Sequence, residues 1–258
     1  MKIATWNVNS IRSRITHLQA WLGATQPDVV LLQELKCTAE DFPMMAVQGA
    51  GYDAVVLGQK TWNGVAVLTR QGSSHKPEIT LNGLNLPDDT AARYLEVQVG
   101  QFRLASVYVP NGQSLDSEKF SYKLSFLTAL EQRLSALLAT ELPVVVGGDF
   151  NLAPAANDVY DPRRFDGDVL YAMPVRQAWR RMINQGWIDG LRLQHPHQPL
   201  FSWWDYRGNA WPAGHGCRID HLLLSPAAAN LLQGAGVDSD QRALEQPSDH
   251  APVWVELA

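Results

Sequence analysis

An α/β fold, with mixed sheets packed together and helices outside, is the class this sequence predicts. Nine apolar runs of strand length recur along its 258 residues, many of them rich in Val and Ile. Only three segments carry the 3.6-residue apolar period of a helix. From Val55 to Val109 several strand-like runs follow one another with hairpin-like connections, which reads as an antiparallel block rather than a pure βαβ winding.

Taken in order, KIATW begins the chain with a strand. A helix follows, with Ile15, Leu18, Trp21 and Leu22 on one face and an end near Gly23. DVVLLQ, YDAVVL, GVAVLT, YLEVQV and RLASVYV are the next strands. Phe120, Leu124, Leu127, Leu130, Leu134 and Leu137 form the stripe of a second helix, which ends before Pro143. PVVVGG is a strand, and Val175, Ala178, Trp179, Met182 and Ile183 mark a third helix stopped by Gly186. DHLLLS and APVWVEL complete the set. Glycine and proline cluster in 154–167 and 208–216, which predicts long loops of the kind that carry function.

Composition excludes several classes. At 46% hydrophobic and 18% charged the chain is no disordered polyampholyte. Two cysteines, Cys37 and Cys217, form no CxxC pair, and there is no HExxH, so no zinc site is expected. The N-terminus turns polar within six residues, and runs such as Val29 to Leu32 are too short to cross a bilayer. The expected setting is the cytoplasm, with no membrane partner. Net charge is -5, yet fifteen of the 21 cationic residues are Arg, whose planar fork suits phosphate. No heptad or self-complementary patch is visible, so a monomer is expected.

The strand ends carry the chemistry. IATWN delivers Asn7, VVLLQE delivers Glu34, and ASVYVPNG delivers Tyr108 and Asn111. VVVGGDFN delivers Asp149 and Asn151, whose i, i+2 spacing puts both on one face of an extended segment. CRID delivers Arg218 and Asp220, and PSDH delivers Asp249 and His250. Any one of these has an ordinary explanation as a cap, a turn or a solvated strand end. Six at comparable positions suit a hard-metal hydrolytic site on a rigid platform. Among the other histidines, His17, His75, His195 and His197 read as structural or exposed, while His215 and His221 lie near the glycine-rich loop and stay open.

WNVNSIR, LLQELK, GDFN, FSWWDYRG, RIDHLL and PSDHAPV occur in this order from Trp6 to Val253. Together they resemble the exonuclease III branch of the endonuclease/exonuclease/phosphatase superfamily, which includes abasic-site endonucleases. The resemblance implies one catalytic domain over residues 1–258, folded as a four-layered α/β sandwich of two packed mixed sheets flanked by helices. It implies hydrolysis of the phosphodiester 5′ of an abasic site, or removal of nucleotides or phosphate from DNA 3′ ends, with double-stranded DNA as partner. The implied cofactor is Mg2+, with Mn2+ as a substitute, held by Glu34, Asn7 and Asp249. Asp149 would be the general base and Asn151 would hold phosphate or water. Tyr108 would contact the phosphate or the departing oxygen. Asp220 would orient His250, which would bind a nonbridging oxygen. Asn111, Trp203, Arg207, Cys217 and Ile219 would line the DNA or abasic-sugar pocket.

Cys217 departs from the bulkier apolar residue common in the family, and the 160–173 loop is a region where members differ. A bulky group in that loop would exclude an internal abasic site while admitting a 3′ end. Arg93, Arg163, Arg164, Arg180 and Arg181 join Arg207 as phosphate-contact candidates, and Trp203 and Trp204 as stacking candidates. A phospholipid or inositol phosphate substrate on the same site is the alternative that FSWWDYRG and CRID argue against. A non-catalytic DNA binder is disfavoured because it has no need of Glu34 or Asp149.

Overall fold

The computed structural model describes residues 1–72, 76–87 and 89–258; the loop position expected for His75 lies outside them. The strands are β1 (Lys2–Asn7), β2 (Val29–Gln33), β3 (Tyr52–Leu57), β4 (Val65–Arg70), β5 (Glu78–Asn82), β6 (Tyr94–Val99), β7 (Phe102–Tyr108), β8 (Val144–Asp149), β9 (Ile188–Asp189), β10 (Asp220–Leu224), β11 (Leu232–Val237) and β12 (Val253–Leu257). They form two six-stranded sheets, ordered β11-β12-β1-β2-β4-β3 and β5-β6-β7-β8-β10-β9. Each is mixed. β1 and β2 are parallel in the first sheet and β7 and β8 in the second, while the other neighbours run antiparallel.

Side chains alternate between the two faces of a strand, and here both faces are buried. In β8, Val145 joins Ile3, Leu31, Leu104 and Leu222 between the sheets. Val144 and Val146 point the other way, toward Leu127, Leu130 and Leu134 of α3 (Glu118–Leu138). On the far side, Ala4 and Trp6 of β1 meet Leu18, Trp21 and Leu22 of α1 (Ile11–Thr25) and Val47 of α2 (Met44–Gly49). Helix α4 (Met173–Asn184) packs beside α3 through Val175, Trp179 and Met182. The result is helix, sheet, sheet, helix: the four-layered sandwich that was expected. Among the described residues no helix is long and apolar enough to cross a membrane.

Three details differ from the sequence reading. The Val55–Val109 block is antiparallel throughout but split: β3 and β4 close one sheet, and β5, β6 and β7 belong to the other. Local pairing preferences look the same in either sheet, so this division is invisible before packing. α1 runs past Gly23 to Thr25 and ends where Gln26 adopts a left-handed φ of 46° and donates its N–H to Leu22 O at 2.9 Å, just before Pro27. Strands β5, β9 and β11 carried no clear signal: β5 is mostly exposed, β9 has two residues, and β11 contains two glycines.

Candidate active site

Topology explains why distant residues meet. β1 and β2 run parallel with Asn7 opposite Gln33, so Glu34 emerges beside Asn7. β7 and β8 run parallel with Tyr108 opposite Asp149. β10 is antiparallel to β8, so its first residue, Asp220, lies opposite Asp149. β12 is antiparallel to β1, so His250 enters just ahead of it at the same edge. Strand C-termini and their antiparallel neighbours' N-termini thus share one rim. The two glycines before Asp149 make the approach close: a Cβ on Gly147 would stand 2.5 Å from Leu222 Cδ2 and 2.8 Å from Leu31 Cδ1, and one on Gly148 would stand 1.8 Å from Val107 O.

The polar groups form one continuous network. Asn7 Nδ2 donates to Glu34 Oε1 at 2.9 Å and to Asp149 Oδ2 at 3.0 Å. Tyr108 donates its hydroxyl to Glu34 Oε1 at 2.8 Å. Asn151 donates its backbone N–H to Asp149 Oδ1 at 2.8 Å and its amide to Val109 O at 2.9 Å. His250 Nδ1 meets Asp220 Oδ2 at 2.8 Å, and its Nε2 faces Asp149 Oδ2 at 3.7 Å. Ser202 donates its hydroxyl to the same Asp220 oxygen at 2.6 Å, while Asp220 Oδ1 is buried without a partner. Asn9, Ser10, Glu34, Lys36 and Asn151 all hold positive φ. Such backbone costs about 1–3 kcal/mol per residue and gathers where a site must be preorganised.

Burial sets the protonation chemistry. Asp149 is almost fully buried, which pushes its carboxyl up; His250 opposes this, Asp220 and Glu34 add to it, and the balance is about 7. Burial alone would push the His250 imidazole down, but Asp220 and Asp149 outweigh it and lift the ring to about 10. Burial, with Glu34 and Asp149, holds the Tyr108 phenol well above its ordinary range, so it remains a donor. His221, which had stayed open, is pushed down to about 4 by burial and then by Arg218. It is a structural group: its Nε2 contacts Leu152 O at 2.9 Å and its Nδ1 faces Arg218 at 2.9 Å.

These residues floor a cleft of about 790 Å³. Asn111, Asp249, Trp203, Arg207 and Ile219 line it, joined by Arg164, Phe165, Leu170 and His215. Asn111 donates to Asn151 Oδ1 at 3.1 Å. His215 stacks on Tyr160 with centroids 4.3 Å apart and planes 15° from parallel. Several expected participants lie elsewhere. Cys217 is fully buried and does not line the cleft, because its backbone bridges to both Val159 and Trp203 and those segments cover it. Arg218 is buried in ion pairs with Asp158 at 2.7 Å and Asp189 at 2.8 Å. Trp204 packs on Trp211 within the protein. Arg163 pairs with Asp161 on the exposed surface, Arg181 pairs with Glu131, and Arg180 lines a separate groove beside Trp179. Arg93 lies over the Tyr108 ring at 4.6 Å. His195, read as exposed, is half-buried with its Nε2 2.9 Å from Ala235 O.

Of the expected Glu34, Asn7 and Asp249, Glu34 lies in the carboxylate cluster and Asn7 is bound directly to it. Glu34, Asp149 and His250 each bring one ligand atom within 4.8 Å of the others. Asn7 turns its Nδ2 to the carboxylates while its Oδ1 accepts from Asn9 N at 3.0 Å. Asp249 accepts from Asn9 Nδ2 at 2.9 Å and from Trp203 Nε1 at 3.0 Å. The carboxylate oxygens of Glu34 and Asp149, both bound by Asn7 Nδ2, are the hard donors that fit a divalent cation. Lys123 was missed altogether. Its fully buried ammonium reaches into the loops behind the site, and the signal was a lysine between Phe120 and Leu127 on the apolar face of α3.

The Endonuclease/Exonuclease/phosphatase family matches residues 4–250. An exodeoxyribonuclease III of Haemophilus influenzae is 34% identical over 271 residues, covering 100% of both chains. A 3′ phosphatase from Neisseria, solved bound to a product DNA hairpin, superposes with a TM-score of 0.95 at 41% identity, covering 100% of this chain and 99% of that one. An AP endonuclease from Archaeoglobus fulgidus superposes with a TM-score of 0.94 at 33% identity over 100% of this chain and 99% of its own.

Proposed function

Since this chain belongs to the endonuclease/exonuclease/phosphatase family, we propose that it is a Mg2+-dependent DNA-repair phosphodiesterase that restores 3′-hydroxyl ends. One observation carries the reading: Glu34, Asp149 and His250 converge within 4.8 Å at the floor of an open cleft with Arg164 and Arg207 at its margin. The Neisseria relative is described as a 3′ phosphatase, and its likeness to this chain supports DNA 3′ ends as the substrate. A second reading, incision 5′ of an abasic site, is favoured by Trp203 and Ile219, which suit a sugar without its base, whereas Phe165 of the 160–173 loop stands in the same cleft and favours a 3′ end.

In this reading the Glu34 carboxylate would hold the cation beside Asp149, with Asn7 Nδ2 keeping the two carboxylates in place. A bound divalent cation would neutralise charge on the phosphate and on the departing oxygen. Asp149, poised near neutrality, takes the proton of a water as that water adds to phosphorus. The bond from phosphorus to the 3′ oxygen breaks with its electron pair on oxygen, and that oxygen takes a proton from solvent water to become the 3′-hydroxyl. At a terminal 3′-phosphate the same bond change releases inorganic phosphate. His250, protonated and backed by Asp220, donates from Nε2 to a nonbridging oxygen. Tyr108 offers its hydroxyl to the departing oxygen, and Asn151 fixes Asp149 through its backbone N–H.

Three labelled duplexes test the proposal: one with a 3′-phosphate, one with a recessed 3′ end and one with an internal abasic site, each with Mg2+ and with chelator. Mg2+-dependent processing of the first two is expected. Incision of the third would add the endonuclease activity. Silence on all three, with turnover of an inositol phosphate, would overturn the DNA assignment.

A further inference from the structure

We infer that Lys123 is a positioning residue that ties together the three loops framing the cleft. This rests on the proposed reading of the site and adds a residue that touches neither substrate nor reacting atoms. Lys123 lies on the buried face of α3, with no solvent exposure. Its Nζ donates to Asn111 O at 3.0 Å, Asn151 O at 2.6 Å and Val169 O at 2.8 Å. An ammonium has three donors, and all three are used on backbone carbonyls from three separate segments. One follows β7, one follows β8, and one belongs to the 160–173 loop. Val169 and Leu170 of that last loop line the cleft, as do the side chains of Asn111 and Asn151.

The seat is built for this residue. Gly112, with φ of 98°, passes directly over the lysine stem, and a Cβ there would stand 3.1 Å from Lys123 Cδ. Ser117 donates to Gly112 O at 2.7 Å and so closes the same loop from the other side. Asn151 is held at a φ of 47°, which leaves its carbonyl turned away from the sheet ladder and its N–H turned onto Asp149 Oδ1. Lys123 satisfies that carbonyl. It therefore acts on Asp149 through the Asn151 turn, on Asn151 through Asn111, and on the cleft wall through Val169. Burial pushes the ammonium down, Asp149 and Asp168 partly oppose it, and the balance is about 7. No apolar side chain can replace the arrangement, since three buried carbonyls would be left without donors.

The experiment is a graded series, Lys123→Gln and Lys123→Met, with Lys119→Met on the exposed side of the same helix as control. Melting, steady-state kinetics on a 3′-phosphate duplex and amide hydrogen exchange are measured for each. The expected order of kcat is Lys, then Gln, then Met, with Met lower by about 10–100-fold, the usual loss for a supporting hydrogen-bond partner. KM should stay near its original value. Faster exchange is expected at Gln113, Asn151 and Leu170 but not in β2. Turnover that follows melting temperature instead of donor number, or unchanged exchange in all three loops, would overturn the inference. If Lys123→Met does not fold, Lys123→Gln and its exchange pattern decide alone. Exchange needs no substrate, so an inactive wild-type protein would sink the proposed function while still deciding the role of Lys123.

Discussion

Replacing Asp220 with Asn should move the alkaline limit of the enzyme by several pH units. Lifting His250 from 6.5 to about 10 favours the imidazolium by about 5 kcal/mol. Unit charges 2.8 Å apart, the separation of Nδ1 and Asp220 Oδ2, supply about 6 kcal/mol at an effective dielectric of 20. Asp220 is therefore the main partner lifting the ring against burial, with Asp149 adding to it. In Asp220→Asn the ring should fall to its ordinary value or below. A group of pKa 6.5 is protonated in about 1% of molecules at pH 8.5, so turnover there should fall about 100-fold. Stability carries the matching signature. A folded pKa above the unfolded one contributes its full stabilisation below about 6.5 and loses it as pH rises through about 10. The melting deficit of the variant should be largest in acid and shrink toward pH 10. Ring NMR of His250 in chelator, the pH profile of kcat/KM and melting at several pH values read these three effects. A His250 resonance still titrating near 10 in Asp220→Asn would refute the reasoning.

Other perturbations follow from the same geometry. Asp149→Asn should lower turnover by about 100–10,000-fold while sparing DNA affinity, as measured by single-turnover kinetics beside a binding titration. Arg164→Ala and Arg207→Ala should each weaken DNA binding and reduce the slope of affinity against salt by about 1; an unchanged slope would remove that residue from the phosphate path. Gly148→Ala forces a Cβ onto Val107 O and should cost about 3 kcal/mol, or about 6–12 °C in thermal melting, before any catalytic effect is considered.

Much of the fold was legible because both faces of the central strands are buried. That makes runs such as VVVGG nearly continuous in apolar residues, and the strands announce themselves. The β5 edge strand, with little buried surface, imposes no such pattern. Site residues were legible at the tips of those runs, where an acid or amide after four apolar positions is out of place. Lys123 was hidden by the opposite circumstance. A single lysine inside a leucine stripe reads as a stem lying along a helix, and only the three carbonyls waiting for it reveal why it points inward.

By itself the sequence determined the layer types, the ordered motifs of the family and the set of polar groups available for chemistry, because each depends on local pattern. Tertiary structure decided which groups meet. Register set Tyr108 and Asp220 on either side of Asp149, while Asp249 turned to Asn9 and Trp203 instead of joining Glu34. Packing then decided their charge: burial lifts Asp149, while Asp220 and Asp149 lift His250 against burial, since a desolvated ion depends on the few partners packed around it rather than on its neighbours along the chain.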